Sequence, residues 1–371
     1  MSNPGDIIAV ASRFAIQGRP VAAQPFSGGH IHESYLVSSR WSGQTAEYLL
    51  QRINTVVFPR PEQVVSNIRR VTSHIADNLR SRGVHDLDRR VLKLIPVSTG
   101  ETFLRDDRGS CWRVYRFIGG SHSRQTVRTA RQAEDAGRAF GMFQRLLSDW
   151  PGSRLHETIP GFHDTSARFR VMEQAIQADA AGRAAAVQEE IGLLMRHQAL
   201  AGVLLDLHHV GAIPERIVHN DAKISNILFD DSTGEALCVV DLDTVMPGLS
   251  LYDFGDMVRS MTCTAAEDEP DTSKVKVRLS FFEALARGYL GVVGEFLTGA
   301  EREHLVVAGK LIVLEQAVRF LTDYLNGDCY YRTNRPGHNL DRCRTQLKLL
   351  ESLDENEARL TEIVAGLLGS R

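Results

Sequence analysis

No run of about 18 apolar residues occurs in the 371-residue chain, so no transmembrane helix and no membrane partner is expected. Cysteine is sparse. Cys111, Cys238, Cys263, Cys329 and Cys343 are odd in number and widely spaced, and no C-x-x-C is present. That excludes a disulfide framework and a zinc site, and it points to reduced thiols in a cytoplasmic protein. An excess of positive charge is also missing. The 43 Lys and Arg against 46 Asp and Glu give a formal net charge of −3, so nucleic acid is not an expected partner. The first residues, "MSNPGDIIAVASRFAIQGRP", lack a charged segment followed by an apolar run, and no signal peptide is expected. No G-x-x-x-x-G-K-[ST] occurs, which excludes a P-loop enzyme by motif. There is no internal repeat, no low-complexity linker and no signal for an oligomeric state.

What is present is an ordinary globular composition, 43% hydrophobic and 24% charged, in a chain long enough for two domains. The first ~118 residues read as a small sheet with one inserted helix. "HESYLVSS" and "AEYLLQRIN" have the texture of two paired strands. In "PEQVVSNIRRVTSHIADNLRSRG", Val64, Ile68, Val71, Ile75 and Leu79 recur at helical spacing, with Gly83 as the stop. "VLKLIPVSTGETFLRDDRGSCWRVYRFIGG" returns to strands, with turns at Thr99–Gly100 and Asp106–Gly109. After Gly119–Gly120 long helical patterns dominate. The predicted division is 1–118 as a sheet-rich N-lobe and 119–371 as a mostly helical C-lobe, an α+β chain with a ligand cleft.

One β segment interrupts the helices: "VHNDAKISNILFDDSTGEALCVVDLD", Val218 to Asp243. It reads as strand, turn and strand, with Gly234 in the turn. Asn226 opens the first strand and Asp241 closes the second, so the pattern brings an amide oxygen and a carboxylate to one end of a hairpin. That donor set suits a hard divalent cation such as Mg²⁺. Asp221, in the approach loop, is then a third carboxylate, able to accept a proton from an attacking hydroxyl. Lys223 can offer a point charge to a phosphoryl group. A solvated acidic hairpin is the plain alternative, but "LCVVDLD" is too apolar for an exposed strand. His219 reads as a packed residue that shapes the loop.

His219, Asp221 and Asn226 form H-x-D-x-x-x-x-N, followed by Asp241 at a strand end and Asp253 in "YDFGD". This ordered set resembles the aminoglycoside phosphotransferase and choline kinase family. The resemblance implies a protein-kinase-like bilobal fold and ATP and Mg²⁺ as cofactors. It also implies Asp221 as catalytic base, Asn226 and Asp241 on the metal, and Asp253 bracing the catalytic loop. "VVDLDTVMPGLSLYDFGD", "TAAEDE", "EQAVRFLTDYLNGDCYY", "NLDRCRTQ", "GGHIHESY" and "LLQRIN" are similar, more narrowly, to the N-acetylhexosamine 1-kinases of that family. Those enzymes phosphorylate the anomeric hydroxyl of N-acetylglucosamine or N-acetylgalactosamine, so a small-molecule sugar is the implied partner.

The same likeness assigns the remaining candidates. Gly28 and Gly29, in "SGGHIHESY", would cover phosphates with backbone N–H groups, although a plain hairpin turn fits as well. Arg52 in "YLLQRIN" would hold the α and β phosphates, with Glu62 the nearest helical acid to pair with it. The backbone from Arg116 to Ile118 would hydrogen-bond adenine. His30, Arg319 and Tyr330 would contact the sugar, with Asp243 and the segment around Arg259 as neighbours. His30 has a turn-shaping alternative, Arg319 a buried salt bridge to Glu315 or Asp323, and Tyr330 a core position. Ser260 falls where the family leads one to expect an aromatic. The remaining readings are a kinase of another hexose, an aminoglycoside or a choline-like alcohol, and a non-catalytic kinase-like regulator.

Overall fold

The computed structural model of the chain describes residues 4–26 and 31–369. They group into two compact units. The first runs up to His122 and also takes in Asp149–Ile159 and Leu228–Met246, and the second comprises Ser123–Ser148, Pro160–Ile227 and Pro247 onward.

The first unit is built on an antiparallel sheet. Its strands are β1 (Arg19–Pro25), β2 (Glu33–Trp41), β3 (Gln44–Ile53), β4 (Leu94–Ile95), β5 (Leu104–Arg105) and β6 (Cys111–Arg116). The order is β1-β2-β3-β6-β4, with β5 also on β6. Strand period two puts Tyr35 and Val37 of β2, Tyr48 and Leu50 of β3, and Trp112 and Val114 of β6 on one buried face. Helix α1 (Pro4–Ala11) packs Ile7 and Ala11 into that core. Helix α2 (Pro61–Ser81) begins with Pro at its first turn, where no amide hydrogen is needed, and buries Val64, Ile68, Val71 and Ile75. It ends at Gly83, whose φ of 76° is open to glycine at no steric cost. The short α3 (Leu87–Arg90) follows. Strand β7 (Ser121–Ser123) joins the hairpin β9 (Ile227–Asp230) and β10 (Ala236–Val239) in a second sheet, ordered β10-β9-β7. Asp230 organises the hairpin turn, its carboxylate accepting from the amides of Ser232 and Thr233.

The second unit is helical: α4 (Ala130–Leu147), α5 (Thr165–Ala178), α6 (Gln188–Arg196), α7 (Val203–His209), α8 (Ser250–Met261), α9 (Leu279–Val293), α10 (Gly299–Glu303), α11 (Leu305–Leu325), α12 (His338–Glu355) and α13 (Glu357–Gly369). The short strand β8 (Arg216–Val218) leads into the loop that carries His219 and Asp221. Two helix crossings are closer than a side chain permits. A Cβ at Gly288 of α9 would lie 2.0 Å from the Glu134 carbonyl of α4. A Cβ at Gly255 of α8 would lie 2.4 Å from the Ala308 carbonyl of α11. The second crossing matters for the site, because α8 carries Asp253, Asp256 and Arg259. The start of α8 is pinned as well: Ser250 donates to the buried Glu301, which Arg216 grips through two nitrogens at 2.7 and 2.8 Å. Among the described residues no helix is long and apolar enough to cross a membrane.

Candidate active site

The loop after β8 is held from below by one acid. Asp253 is fully buried and accepts from the amides of His219 (3.0 Å) and Asn220 (2.7 Å), and from Gln144 Nε2 (2.8 Å). His219 is itself buried, edge-on to Phe140 and Phe143, and its Nδ1 accepts the Asp221 amide at 3.3 Å. It therefore shapes the loop, as its sequence context implied. Asn220 has φ of 65°, a left-handed conformation that Asn tolerates better than most residues. A backbone outlier held this firmly marks a place where the surrounding structure dictates geometry.

Asp221 emerges from this loop with about a quarter of its side chain exposed. Lys223 Nζ is 2.8 Å from its Oδ2, and Asn226 Nδ2 donates to its main-chain oxygen (2.9 Å) and to Oδ2 (3.0 Å). Burial alone would push the Asp221 carboxyl up, but the Lys223 ammonium outweighs it and holds the group at about 2. Lys223, expected at the phosphoryl group, thus has its ammonium on Asp221. Asn226 thus holds its NH₂ on Asp221, and its amide oxygen is the kind of donor a hard cation uses. Asp241 follows β10 by two residues and has φ of 60°. Among the described residues no group of three or more His, Cys, Asp and Glu side chains is placed to hold a metal. An amide oxygen and a carboxylate are donors of the kind that a hard cation such as magnesium takes.

In the first unit several sequence expectations change. Gly28, Gly29 and His30 lie outside the described residues. Arg52 is on β3 as expected, but its side chain is 41% exposed and pairs with Glu33, directly across on β2, at 3.3 Å. Its Nε donates to Ser110 Oγ at 3.1 Å. Glu62 is not its partner, because the neighbouring strand offers a carboxylate at closer register. The Arg116 amide donates to the Lys93 carbonyl (2.9 Å) and the Phe117 amide to the Glu47 carbonyl (3.1 Å). Two amides of the Arg116–Ile118 backbone are therefore engaged in pairing within the first unit. Ile118 is buried with Leu237 and Cys238 in a small apolar cluster.

Asp243, expected beside the sugar, is the clearest correction. It is buried in the first unit with both carboxylate oxygens engaged. Arg113 grips Oδ1 through Nη1 and Oδ2 through Nη2 (2.7 Å), and His32 Nε2 is 2.9 Å from Oδ2. Burial would raise the Asp243 carboxyl, yet the Arg113 charge and the hydrogen bonds from Arg113 and His32 hold it far below the usual range. Burial would likewise lower the Arg113 guanidinium, and Asp243 drives it up instead. Arg113 escaped the sequence reading. Its signal is an arginine inside "CWRVYR", a strand buried on both faces, where a charge needs a partner.

In the second unit the acceptor candidates gather on α11, α8 and the loop after α11. Arg319 is half-buried and lies over Phe162, Tyr331 and Tyr330, at 5.4, 5.6 and 6.0 Å from the ring centroids. Among the described residues its one side-chain acceptor is Gln316 Oε1, at 3.2 Å. Neither acid considered as a rival bonds it. Glu315 is taken by His163 Nδ1 (2.9 Å) and Thr165 (2.8 Å), and Asp323 by the amides of Cys329, Tyr330 and Tyr331. Tyr330, held by this nest of amides, is 61% exposed rather than core. Arg259, its side chain 11% exposed, pairs with Asp256 (2.8 Å) and Glu267, close enough to Asp221 for that carboxylate to help retain its proton. Ser260, in place of the expected aromatic, donates to the Asp256 carbonyl.

His163 is a buried residue that sequence reasoning missed. Both ring nitrogens face acceptors: Nδ1 the Glu315 carboxylate, and Nε2 the Asn220 carbonyl at 3.1 Å. Only the imidazolium can donate to both. Burial disfavours that cation, but Glu315 overrides it and the group is shifted up. His163 and Glu315 are 152 positions apart, and no local pattern joins them.

The family model described as APH, the Phosphotransferase enzyme family, matches residues 22–291. A microcompartment-associated aminopropanol kinase is similar in structure, with a TM-score of 0.64 at 16% identity, over 96% of this chain and 98% of that one. An aminoglycoside phosphotransferase from Alicyclobacillus acidocaldarius gives 0.60 at 13% identity, over 99% and 97%. A spectinomycin phosphotransferase in complex with ADP and spectinomycin gives 0.51 at 14% identity, over 99% and 98%. Such identities establish the fold, and it is the α+β, protein-kinase-like fold expected from the sequence.

Proposed function

This chain belongs to the Phosphotransferase enzyme family, whose model spans well over half of it, and from that premise we propose that it transfers the γ-phosphate of ATP to the anomeric hydroxyl of an N-acetylhexosamine. The observation that carries the acceptor class is Arg319. A guanidinium with a single side-chain acceptor and an aromatic surround suits a ligand rich in hydrogen-bond acceptors, such as a sugar with an amide carbonyl. It repels an ammonium. Similar structures include an aminopropanol kinase and an aminoglycoside phosphotransferase, named for acceptors that carry amines. One observation favours such an acceptor here: among the described residues Asp256 Oδ2 is buried without a hydrogen-bond partner. We weigh it below Arg319, because Arg259 already neutralises Asp256.

In this reading Asp221 accepts a hydrogen bond from the anomeric hydroxyl and aims its oxygen at the γ-phosphorus. The new P–O bond forms as the bond to the ADP oxygen breaks, and the hydroxyl proton passes to Asp221 late. A carboxyl held at about 2 is a weak proton acceptor, which suits a hydroxyl made acidic by the ring oxygen. Alignment and charge neutralisation then carry most of the rate. Asn226 and Asp241 would hold magnesium, which when bound neutralises charge on the β and γ phosphates. Lys223 keeps Asp221 ionised and oriented. Asp253 and His163 fix the loop from behind.

The test is ADP release from Mg-ATP with N-acetylglucosamine, N-acetylgalactosamine, glucose, glucosamine, ethanolamine, choline and kanamycin. Turnover confined to the N-acetylhexosamines supports the proposal. Turnover only on the amines transfers the assignment to an amino-alcohol or aminoglycoside kinase and gives Asp256 the acceptor.

A further inference from the structure

The buried charge around Asp243 has no direct part in the transfer step, yet both of its carboxylate oxygens are bonded. Asp243 lies two residues after Asp241, across a single turn that begins in the left-handed conformation of Asp241. Four anchors fix this turn. Arg113 and His32 take the Asp243 carboxylate. Thr158 Oγ1 donates to the Asp243 carbonyl at 2.9 Å, and Asn67 Nδ2 to the Val245 carbonyl at 3.0 Å.

The anchors are themselves tied down. Gln51 Oε1 accepts from Arg113 Nε (3.1 Å) and Nη2 (2.9 Å), and Gln51 donates to Ser34 Oγ. Arg113 also lies near enough to Asp241 for that carboxylate to help hold its charge. His32 Nδ1 accepts the Asn54 amide at 3.0 Å. With that lone pair used, the proton that His32 shares with Asp243 resides on Nε2, so the ring orientation and tautomer are both set by the fold. The His32 side chain is 5% exposed and packs against Phe58.

We propose that His32, Asp243 and Arg113 form a buried brace that sets the carboxylate of Asp241 for the metal, and that Asp243 serves the reaction through this brace rather than by touching the acceptor. The proposal rests on Asp241 holding magnesium, as argued above. It makes His32 and Arg113 positioning residues for the nucleotide–metal complex. Partners that orient metal-binding side chains commonly change metal affinity by about 10- to 100-fold when removed.

The experiment uses the full-length protein with ADP and Mn²⁺ as a paramagnetic stand-in for Mg²⁺, read by electron paramagnetic resonance without any acceptor. His32→Leu removes the donor to Asp243. His32→Gln places an amide NH₂ near the former Nε2 and should keep it. Asp243→Asn weakens the Arg113 grip. The expected result is Mn²⁺ binding weakened about 10-fold or more in His32→Leu and Asp243→Asn and largely restored in His32→Gln, with the KM for the acceptor unchanged in all three. Circular dichroism selects variants that keep the wild-type fold, and His32→Gln carries the comparison if His32→Leu does not fold. Unchanged Mn²⁺ affinity in the folded variants would by itself overturn the brace, and a raised acceptor KM beside it would return Asp243 to the acceptor. Because the readout contains no acceptor, this failure is distinct from a wrong choice of sugar, which only the turnover panel detects.

Discussion

Arg113 and Arg319 each carry a guanidinium into the interior of a unit, and their surroundings are opposite. Arg113 has a bidentate carboxylate and a glutamine oxygen, so its donors are matched by protein acceptors. Arg319 has one glutamine oxygen and three aromatic rings. A cation with matched donors holds the fold, and its removal leaves Asp243 buried without a counter-charge. A cation with unmatched donors is ready for a ligand, and its removal should be felt by the ligand more than by the fold. The same contrast separates Asp243, saturated, from Asp221, part-exposed and aimed outward.

The sharpest way to break this comparison is at the acids. Asp221→Asn should lower kcat by several orders of magnitude while ADP affinity, measured by calorimetry, stays nearly unchanged. Near-normal turnover in this variant would remove Asp221 from the chemistry. Next is Arg113→Met, expected to cost about 3–5 kcal/mol in urea unfolding, the usual loss when one partner of a buried pair is removed. A cost within experimental error would mean that the brace is not structural. Arg319→Met should leave unfolding almost unaltered and reduce kcat/KM for the sugar about 100-fold, equivalent to roughly 2.7 kcal/mol. A large stability loss with unchanged KM would make Arg319 a second Arg113.

A smaller effect follows from His163. Its pKa is raised in the fold, so the stability it contributes is fully present below the unfolded value near 6.5 and is lost as pH rises through the folded value. Thermal melts and kcat should both decline along that alkaline limb, and His163→Gln should flatten it. An unaltered alkaline limb in His163→Gln would assign the limb to another group. The smallest expected effect is at Arg52, whose exposed pair with Glu33 should contribute no more than about 1 kcal/mol, so Arg52→Ala should melt like the parent. A loss of ATP affinity in that variant would restore it to the phosphates.

Local pattern was enough for β2, β3 and α2, because strand and helix periods are set by neighbours along the chain. It was enough for the His219–Asp221–Asn226 loop, whose residues lie within eight positions and whose internal bonds the structure contains. It failed where bonding is decided by distant strands. β6 is buried along nearly its whole length, so no alternation showed which way Arg113 faces. The partner of Arg52 depends on the register of β2 against β3, which places Glu33 opposite. The pairing of the Arg116 amide with Lys93 likewise depends on strand register. His163 pairs with an acid 152 positions away on α11, and Asp243 with an arginine 130 positions before it. Buried charges need partners wherever the fold can supply them, and sequence spacing does not say where that is.

The account rests on phosphoryl transfer to the anomeric oxygen of an acetamido sugar. The most direct test is phosphorus and proton NMR of the product formed from N-acetylglucosamine and Mg-ATP, with the reducing end assayed in the same sample. The account predicts phosphorus coupled to the anomeric proton and a reducing end lost in step with ADP release. Phosphate on another carbon, an intact reducing end, or no sugar product beside ready turnover of an amino alcohol would contradict it.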